Sequence, residues 1–415
     1  MDFMEKMNQE IEMQEDKTKR HRDFGKGVFA GFFGAVLIAA GIWGARTFLG
    51  GTVSGSFVPD SASKTDVEKK LDTIDALIDN YYLYEDEIDG DKLVEGIYSG
   101  YAQALGDPYT EYYDEEESRA LLESTSGEFT GIGVAMSQAA DGTVTAVNVY
   151  KDSPAEKAGM KENDILLKVD GEEIQGEDLN TVVSRIKGEK GTEVDITVLR
   201  GAEVVEMTAV RDVIEVQTVE YRMMEEQIGY ISVSEFDDVT YEQFLAALND
   251  LEAQNMQGLV VDVRNNPGGN VETVTNMLKL LLPKGTIMST KDKEGNTEEI
   301  TCDGTHEFTK PLAVLVNGNS ASASEIFSGA IQDYGIGTIV GTTTYGKGIV
   351  QQLIGLGDGT YLKLTIAEYY TPSGRSIHGK GVEPDVEVEY EYDENNPEAD
   401  NQLEKALETV KEQLN

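Results

Sequence analysis

The sequence predicts an α/β protein with a mostly parallel main sheet, a smaller β-rich module, a helical N-terminal region and one transmembrane helix. Three observations predict this fold class. Residues 27–45 carry no charged side chain, and short β-branched runs separated by glycines fill residues 127–212. From residue 228 onward, apolar strand-like runs alternate with amphipathic helical patterns. Strands that alternate with helices favour a parallel sheet covered on both faces.

The net charge restricts the partners of the chain. Its 415 residues include 34 Lys and Arg against 77 Asp and Glu, a formal net charge of −43. Nucleic-acid binding depends on Lys and Arg that release counterions from phosphates. A chain this acidic is therefore not expected to bind nucleic acid. The hydrophobic share of 40% and the length indicate two or three globular domains.

Residues 27–48 are interpreted as a membrane anchor. The uncharged run Gly27–Ala45 approaches the roughly 20 residues that cross the hydrocarbon core as a helix. Five basic residues between Lys17 and Lys26 precede it, so residues 1–26 are expected in the cytoplasm and the body outside the cell membrane. A cleaved signal peptide is the alternative, but the run exceeds the usual ~7 to 15 apolar residues.

Cysteine and histidine are scarce. Cys302 is the only cysteine, so no intramolecular disulfide can form. Only His21, His306 and His378 could join it as zinc ligands, and a zinc site needs several such side chains clustered. We therefore expect neither a metal nor a cofactor.

Two regions follow the anchor. Residues 49–65 are rich in Gly, Ser and Thr and are interpreted as a linker. Residues 66–126 are predicted to be helical, because apolar residues recur at helical spacing from Val67 to Tyr81. A short acidic helix is predicted over 114–124. The apolar stripe is expected to pack on another surface, either within the chain or in a second copy.

Residues 127–212 are predicted to form a small β-rich module. Its strand-like runs are FTGIGVAM, TVTAVNVY, DILLKVDG and EVDITVLRG. Between them, Ser153 to Gly159 has an N-cap, a proline at the first helical position and a glycine stop, which predicts a one-turn helix. A second helix is predicted over Leu179–Ile186.

Residues 213–390 are predicted to form the parallel-sheet core, and residues 391–415 an acidic segment and helix. Acidic residues alternate with Val388 and Tyr390, which is typical of an edge strand whose charges disfavour pairing with another chain. Functional side chains are expected where strands end and helices begin. The predicted core strands are Ile228–Val233, Leu259–Val263, Leu312–Val316 and Thr338–Val340.

Two of these strand ends are unusual. Leu259–Val263 is followed by a loop with paired glycines, whose backbone N–H groups can approach an anion. Leu312–Val316 is followed by small hydroxyl residues, and a serine there would lie at the positive end of a helix dipole. The alternative is a capping box, with Ser320 or Ser322 as N-cap and Glu325 as its partner.

A nucleophilic serine needs a base. His306 and His378 lie in turn-like stretches without an obvious orienting Asp, and both are interpreted as loop residues. Lys347 lies between two glycines. A lysine with its ordinary pKa near 10.4 is almost always charged at neutral pH, but burial lowers that pKa and favours catalysis. Gln351 could orient the amine. Taken singly, such a lysine is usually solvated.

The combination of segments is more specific than any one of them. LVVDVRNNPGG, VNGNSASASEIFSGAI and TYGKGIVQQ, in that order, resemble the carboxy-terminal processing (tail-specific) serine proteases. TIAEYYTPSGRSIHGKGVEPDV and LGDPYTEYY resemble flanking segments of the same family. His378 stands where relatives often carry Gln. The resemblance covers most of residues 66–390 and implies a protease core of crotonase-like fold at 213–390.

The resemblance also implies roles for matched residues. Ser320 and Ser324 are interpreted as caps or packing residues. The implied catalytic residues are the nucleophile Ser322, the general base Lys347 and its orienting partner Gln351, with an oxyanion hole of the Ala323 N–H and an N–H of Gly268 or Gly269.

Residues 127–212 then resemble a PDZ domain. Gly131, Ile132, Gly133 and Val134 match the loop whose backbone N–H groups receive a peptide C-terminus at a sheet edge. The downstream stretch SPAEKAGMKENDILLKVDG makes the match specific. Ile132 and Val134 imply protein or peptide substrates with apolar C-termini.

The sequence therefore predicts a single-pass, extracytoplasmic serine endopeptidase that recognises protein tails and cleaves them through an acyl-enzyme. One alternative is a PDZ scaffold or chaperone with an inactive protease core. A non-proteolytic acyl hydrolase is another, although it would have no use for a tail-binding module. A homodimer is possible through the Val67–Tyr81 stripe or the Leu403–Leu414 helix, although both could equally pack within the chain.

Overall fold

The computed structural model describes residues 64–396 and 399–414. Two short 3₁₀ turns lie at Glu85–Glu87 and Glu225–Gln227. The helices are α1 (Lys64–Tyr81), α2 (Gly90–Gln103), α3 (Glu115–Ser126), α4 (Pro154–Ala158), α5 (Leu179–Ile186), α6 (Thr240–Ala253), α7 (Val271–Lys279), α8 (Ala323–Tyr334) and α9 (Asn401–Leu414).

The strands are β1 (Glu111–Tyr113), β2 (Glu128–Gly131), β3 (Val134–Gln138), β4 (Val144–Val149), β5 (Ile165–Val169), β6 (Glu172–Glu173), β7 (Glu193–Arg200), β8 (Glu203–Val210), β9 (Asp212–Glu215), β10 (Val219–Met223), β11 (Ile228–Val233), β12 (Gly258–Asp262), β13 (Gly285–Asp292), β14 (Thr297–Cys302), β15 (Leu312–Val316), β16 (Thr338–Gly341), β17 (Ile349–Gly355), β18 (Tyr361–Tyr370) and β19 (Val386–Glu387).

The described chain divides into two compact units. The smaller unit contains residues 64–118 and 350–367, and the larger unit contains the rest of the described chain. In the smaller unit, α2 is capped by Asp89, whose Oδ1 accepts the Asp91 N–H at 3.1 Å, and β1 pairs antiparallel with β18. Helix α1 begins at Lys64, so it includes the last two residues that we assigned to the linker.

The apolar stripe of α1 is mostly exposed. Of the stripe residues, Val67, Ile74 and Tyr81 are exposed, Leu71 and Ile78 are partly buried, and no α1 residue is fully buried. Within the described residues, no partner therefore buries this stripe completely. The homodimer stays a prediction.

The β-rich module is part of the larger unit. Its sheet has the order β3-β4-β5-β7-β8, with β6 beside β5. Helix α4 is capped by Ser153, whose Oγ accepts the Glu156 N–H at 3.2 Å, and it ends at Gly159 with φ 93°. Both helices predicted here are confirmed. The run FTGIGVAM, which we treated as one strand, forms β2 and β3, because Gly133 turns the chain with φ 74°.

The main sheet of the larger unit has the order β10-β11-β12-β15-β16-β19. Strands β11, β12, β15, β16 and β19 pair parallel, and only β10 joins antiparallel. Every residue of β12 and β15 is buried. The predicted, mostly parallel sheet is therefore confirmed. Val386 and Glu387 form β19 at the sheet edge, but residues 388–391, on whose alternation the edge strand was predicted, are not in a strand.

Helices cover the main sheet. Helix α7 packs against both α6 and α8, and α6 contacts β10 and β11 while α8 contacts β16. Helix α9 packs Leu403, Ala406 and Val410 against Val260 and Leu315 of the sheet. The apolar side of the C-terminal helix is thus buried within its own chain, which favours the intramolecular alternative over a dimer surface.

The predicted cytoplasmic tail, anchor and all but the end of the linker lie outside the described residues. Over residues 64–396 and 399–414, no helix combines the length and apolar character needed to span a membrane.

Candidate active site

The two unusual loops lie side by side at the carboxyl ends of β12 and β15, which are parallel neighbours. Asn265 and Asn317 join them reciprocally: the Asn265 N–H donates to Asn317 Oδ1 at 3.0 Å, and Asn317 Nδ2 donates to Asn265 Oδ1 at 2.9 Å. Asn319 Nδ2 also donates to Asn265 Oδ1, at 2.9 Å. These amide pairs fix the spacing between the loops.

Two buried serines reinforce that junction. Ser320 Oγ donates to the Val263 carbonyl at 2.7 Å, and Ser324 Oγ donates to the Asn266 carbonyl at 2.9 Å. Both side chains are fully buried. Their hydroxyl groups thus hold the second loop against the first.

Ser322, between those two serines, directly precedes α8. Its φ of 53° and ψ of −108° are unusual for a residue with a side chain, and such a conformation costs about 1–3 kcal/mol. Its carbonyl oxygen accepts the Glu325 N–H at 2.8 Å and the Tyr369 hydroxyl at 3.0 Å. The surrounding structure therefore imposes the strained conformation, which is common where a side chain must point in a functional direction.

Glu325 links Ser322 to the lysine loop. Its Oε2 accepts the N–H groups of Ser322 and Lys347, each at 2.8 Å. Its Oε1 accepts the Gly346 N–H at 2.7 Å and the Thr344 hydroxyl at 2.5 Å. Burial raises the pKa of Glu325, and these four donors oppose that rise. One carboxyl group thus brings the main chains of Ser322 and Lys347 together.

Lys347 is buried in the loop that follows β16, with a relative exposure of 3%. The loop packs against residues 377–382: the Gly379 N–H donates to the Gly346 carbonyl at 2.8 Å. A Cβ at Gly346, whose φ is 92°, would lie 3.0 Å from the Lys380 nitrogen. Only glycine suits that position, and this close approach helps to bury the lysine.

The paired glycines lie beside the nucleophile candidate. A Cβ placed on Gly268 would lie 3.1 Å from Ser322 Cβ and 3.2 Å from the Ala323 nitrogen. The Gly268 N–H already donates to Asn266 Oδ1 at 2.8 Å. As the first residue of α8, Ala323 has no acceptor for its N–H within its own helix. Gly268 is therefore the glycine beside Ser322, whereas a Cβ on Gly269 would lie 2.5 Å from the Phe236 carbonyl oxygen. The oxyanion role of these N–H groups stays a prediction.

Gln351 belongs to the smaller unit and is fully buried. Its Nε2 donates to the Tyr109 carbonyl. The predicted orientation of the lysine amine by Gln351 stays a prediction. His306 and His378 are both exposed, as expected for loop residues.

The predicted carboxylate-binding loop lies between β2 and β3. Strand β3 is at the edge of its sheet, which leaves room for an added peptide strand. Ile132 is buried in the core of the module and Val134 is partly buried. Of these two side chains, Val134 is the one that can contribute to an accessible apolar pocket.

Sequence reasoning recognised Glu325 only as a capping partner of Ser322. Its hydrogen bonds to Thr344, Gly346 and Lys347 were missed, because they connect residues about twenty positions apart and leave no local pattern. The interaction of Tyr369 with the Ser322 carbonyl was missed for the same reason.

Comparison with known proteins identifies the family of the chain. Residues 227–388 match peptidase family S41, and residues 145–200 match a PDZ domain. The chain is 36% identical over 341 residues to the carboxy-terminal processing protease CtpB of Bacillus subtilis, covering 80% of this chain and 70% of that protein. It is 38% identical over 308 residues to CtpA of the same organism, covering 74% and 66%.

Among solved structures, the photosystem II D1 C-terminal processing protease is 28% identical with a TM-score of 0.44, covering 74% of this chain and 85% of that one. By sequence, the chain is also 39% identical over 311 residues to the carboxy-terminal-processing protease of Bartonella bacilliformis, covering 72% of this chain and 70% of that protein. The chain thus belongs to peptidase family S41, whose carboxy-terminal processing members are serine-type peptidases with a PDZ domain.

Proposed function

We propose that the chain cleaves peptide bonds with a Ser-Lys dyad. Uncharged Lys347 accepts the Ser322 hydroxyl proton as Oγ attacks the scissile carbonyl, and Lys347 then gives that proton to the leaving amine. Water hydrolyses the resulting acyl-enzyme. The N–H groups of Ala323 and of Gly269 or Gly268 stabilise the oxyanion, and Gln351 orients the lysine amine.

One observation carries this proposal. The N–H groups of Ser322 and Lys347 donate to the same Glu325 oxygen, each at 2.8 Å, and both residues are buried. Their backbones are therefore neighbours. A buried lysine next to a strained serine at a helix N-terminus provides the base and the nucleophile that nucleophilic catalysis requires.

We propose further that the PDZ domain selects substrates by their C-terminal tails. A tail would add to the free edge of β3, with its carboxylate on the N–H groups of Gly131–Val134 and an apolar last residue near Val134. The net charge of −43 disfavours acidic tails. The N-terminal segment would anchor this enzyme in the cell membrane with its catalytic domain outside.

Tail selection is tested with two copies of one unfolded protein that differ only in the last three residues, apolar in one and acidic in the other. The full-length enzyme is expected to degrade the apolar-tailed protein at least about tenfold faster, because an acidic last residue loses the apolar contact near Val134 and is repelled by the negative charge of the protein. Cleavage is followed by gel and mass spectrometry.

A third copy with an amidated apolar tail is the control and should be degraded slowly. Equal rates for all three copies would disprove tail selection. The scaffold alternative would instead predict that the apolar-tailed protein binds but is never cleaved, and that Ser322 does not react with an acylating probe.

Replacing Glu325 with glutamine is expected to lower kcat by about 10- to 100-fold, because a buried carboxylate accepts hydrogen bonds worth about 1.5–3 kcal/mol each and an amide nitrogen accepts none. The KM for a peptide should change little, since Glu325 does not face the substrate. The measurement is steady-state kinetics alongside the unfolding midpoint.

The matched control is Glu272→Gln, which changes an exposed glutamate in the first turn of α7. This variant should keep wild-type kcat. A fully active Glu325→Gln enzyme would show that the shared carboxyl group does not position the dyad.

A further inference from the structure

A partly buried ionic network joins the C-terminal helix to the loop that contains Gly268 and Gly269, which is the candidate oxyanion loop. Its central residue is Arg264, which directly precedes that loop. Arg264 donates to Asp262 from Nη2 at 2.6 Å and from Nε at 3.0 Å. It also donates to Asp400, from Nη1 to Oδ1 at 3.0 Å and from Nη2 to Oδ2 at 2.7 Å. The guanidinium group is thus held from both sides.

The residues at the start of α9 are arranged for this contact. Gln402 is 2% exposed; its Oε1 accepts Arg264 Nη1 at 3.0 Å, and its Nε2 donates to the Val388 carbonyl at 2.7 Å. Asp400 Oδ1 also caps the helix by accepting the Leu403 N–H at 3.0 Å. Although burial opposes it, the hydrogen bond from Arg264 lowers the pKa of Asp400.

The network continues into the candidate oxyanion loop. Asn265, next to Arg264, has φ 58° and is held by Asn317 and Asn319. Asn266 follows, and its Oδ1 accepts the Gly268 N–H at 2.8 Å while its carbonyl accepts the Ala321 N–H at 3.1 Å. A displacement of Arg264 would therefore reach Gly268, which lies against Ser322.

We infer that Asp400 and Gln402 are positioning residues for catalysis, and that they act through Arg264 on the oxyanion loop. Both lie beyond residue 388, where the match to peptidase family S41 ends. The start of the C-terminal helix then helps to position the active site. This inference rests on the proposed role of the Gly268–Gly269 loop.

The informative substitution is Asp400→Asn. Asparagine caps helices about as well as aspartate, so α9 should keep its N-cap, while the charged, two-oxygen acceptor for Arg264 is lost. We expect the rate of Ser322 phosphonylation by a small fluorophosphonate probe, in which Oγ attacks phosphorus and fluoride leaves, to fall about threefold to tenfold in the full-length protein. The kcat for a peptide should fall in parallel, and KM should stay within about twofold.

Asp400→Ala removes the cap as well and should slow phosphonylation by the probe at least as much. The control is Glu408→Ala on the same helix, where Glu408 pairs with Lys405 on the surface, at 2.5 Å. All variants are assayed below their unfolding midpoints. A wild-type rate of phosphonylation in Asp400→Asn, or a loss no larger than in Glu408→Ala, would overturn the inference.

The two proposals fail separately in this experiment. If Ser322→Ala still reacted with the probe, the proposed dyad would fall. If Ser322→Ala did not react and the Asp400 variants reacted at the wild-type rate, the dyad would stand and the role of the C-terminal helix would be refuted.

Discussion

Replacing Ser322 with alanine is expected to reduce peptide hydrolysis by at least about three orders of magnitude while the protein stays folded. The hydroxyl is the proposed nucleophile, and the neighbouring hydroxyl groups are committed elsewhere: Ser320 Oγ to the Val263 carbonyl and Ser324 Oγ to the Asn266 carbonyl. No adjacent serine is free to replace it in this geometry.

The fold should tolerate this change. Alanine keeps the Cβ of Ser322 and the backbone hydrogen bonds with Glu325, which arise from main-chain atoms. The strain of φ 53° is the same for both side chains. The unfolding midpoint is therefore expected to shift by only a few degrees, and peptide binding by the PDZ domain should be unchanged.

Ser324→Ala is the matched control, because it removes a buried hydroxyl two residues away. It should lower stability by about 1 kcal/mol through the lost hydrogen bond and retain most of the activity. Hydrolysis is measured with a fluorogenic peptide, and probe labelling of the active site is read by mass spectrometry. Residual turnover by Ser322→Ala above about one tenth of wild type would identify another nucleophile.

The parallel sheet and most helices were predictable because they depend on local chemistry. Apolar runs such as Leu312–Val316 indicated strands buried on both faces, and the structure places every residue of β15 in the core. Ser153, Pro154 and Gly159 predicted the limits of a one-turn helix because N-cap, first-turn and stop preferences act within one turn.

The site was only partly predictable. The local pattern could not separate a nucleophilic Ser322 from a capping Ser322, and Glu325 in fact accepts the Ser322 N–H as a capping partner would. What distinguishes the residue is its positive φ and the sharing of Glu325 with Lys347, and both depend on tertiary packing. Likewise, the apolar stripe of α9 could not reveal whether it packs on its own sheet or on another molecule.

Replacing Lys347 is also expected to reduce peptide hydrolysis strongly, and three substitutions distinguish a role as general base from a role as a positive charge. Lys347→Ala removes the amine, Lys347→Met keeps most of the volume without a base, and Lys347→Arg keeps the positive charge but cannot lose its proton in a protein. If Lys347 is the general base, all three should reduce kcat by at least about three orders of magnitude. If it contributed only charge, Lys347→Arg would retain much of the activity.

The pH dependence of the wild-type enzyme provides an independent test. A lysine base acts only when uncharged, so kcat/KM should rise with pH until that amine is deprotonated, and protonation at lower pH should remove activity. His378→Ala is the control, since His378 is an exposed loop residue near the lysine loop. That variant should keep both the rate and the ascending limb. An inactive His378→Ala enzyme, or an active Lys347→Arg enzyme, would transfer the role of base from Lys347 to another group.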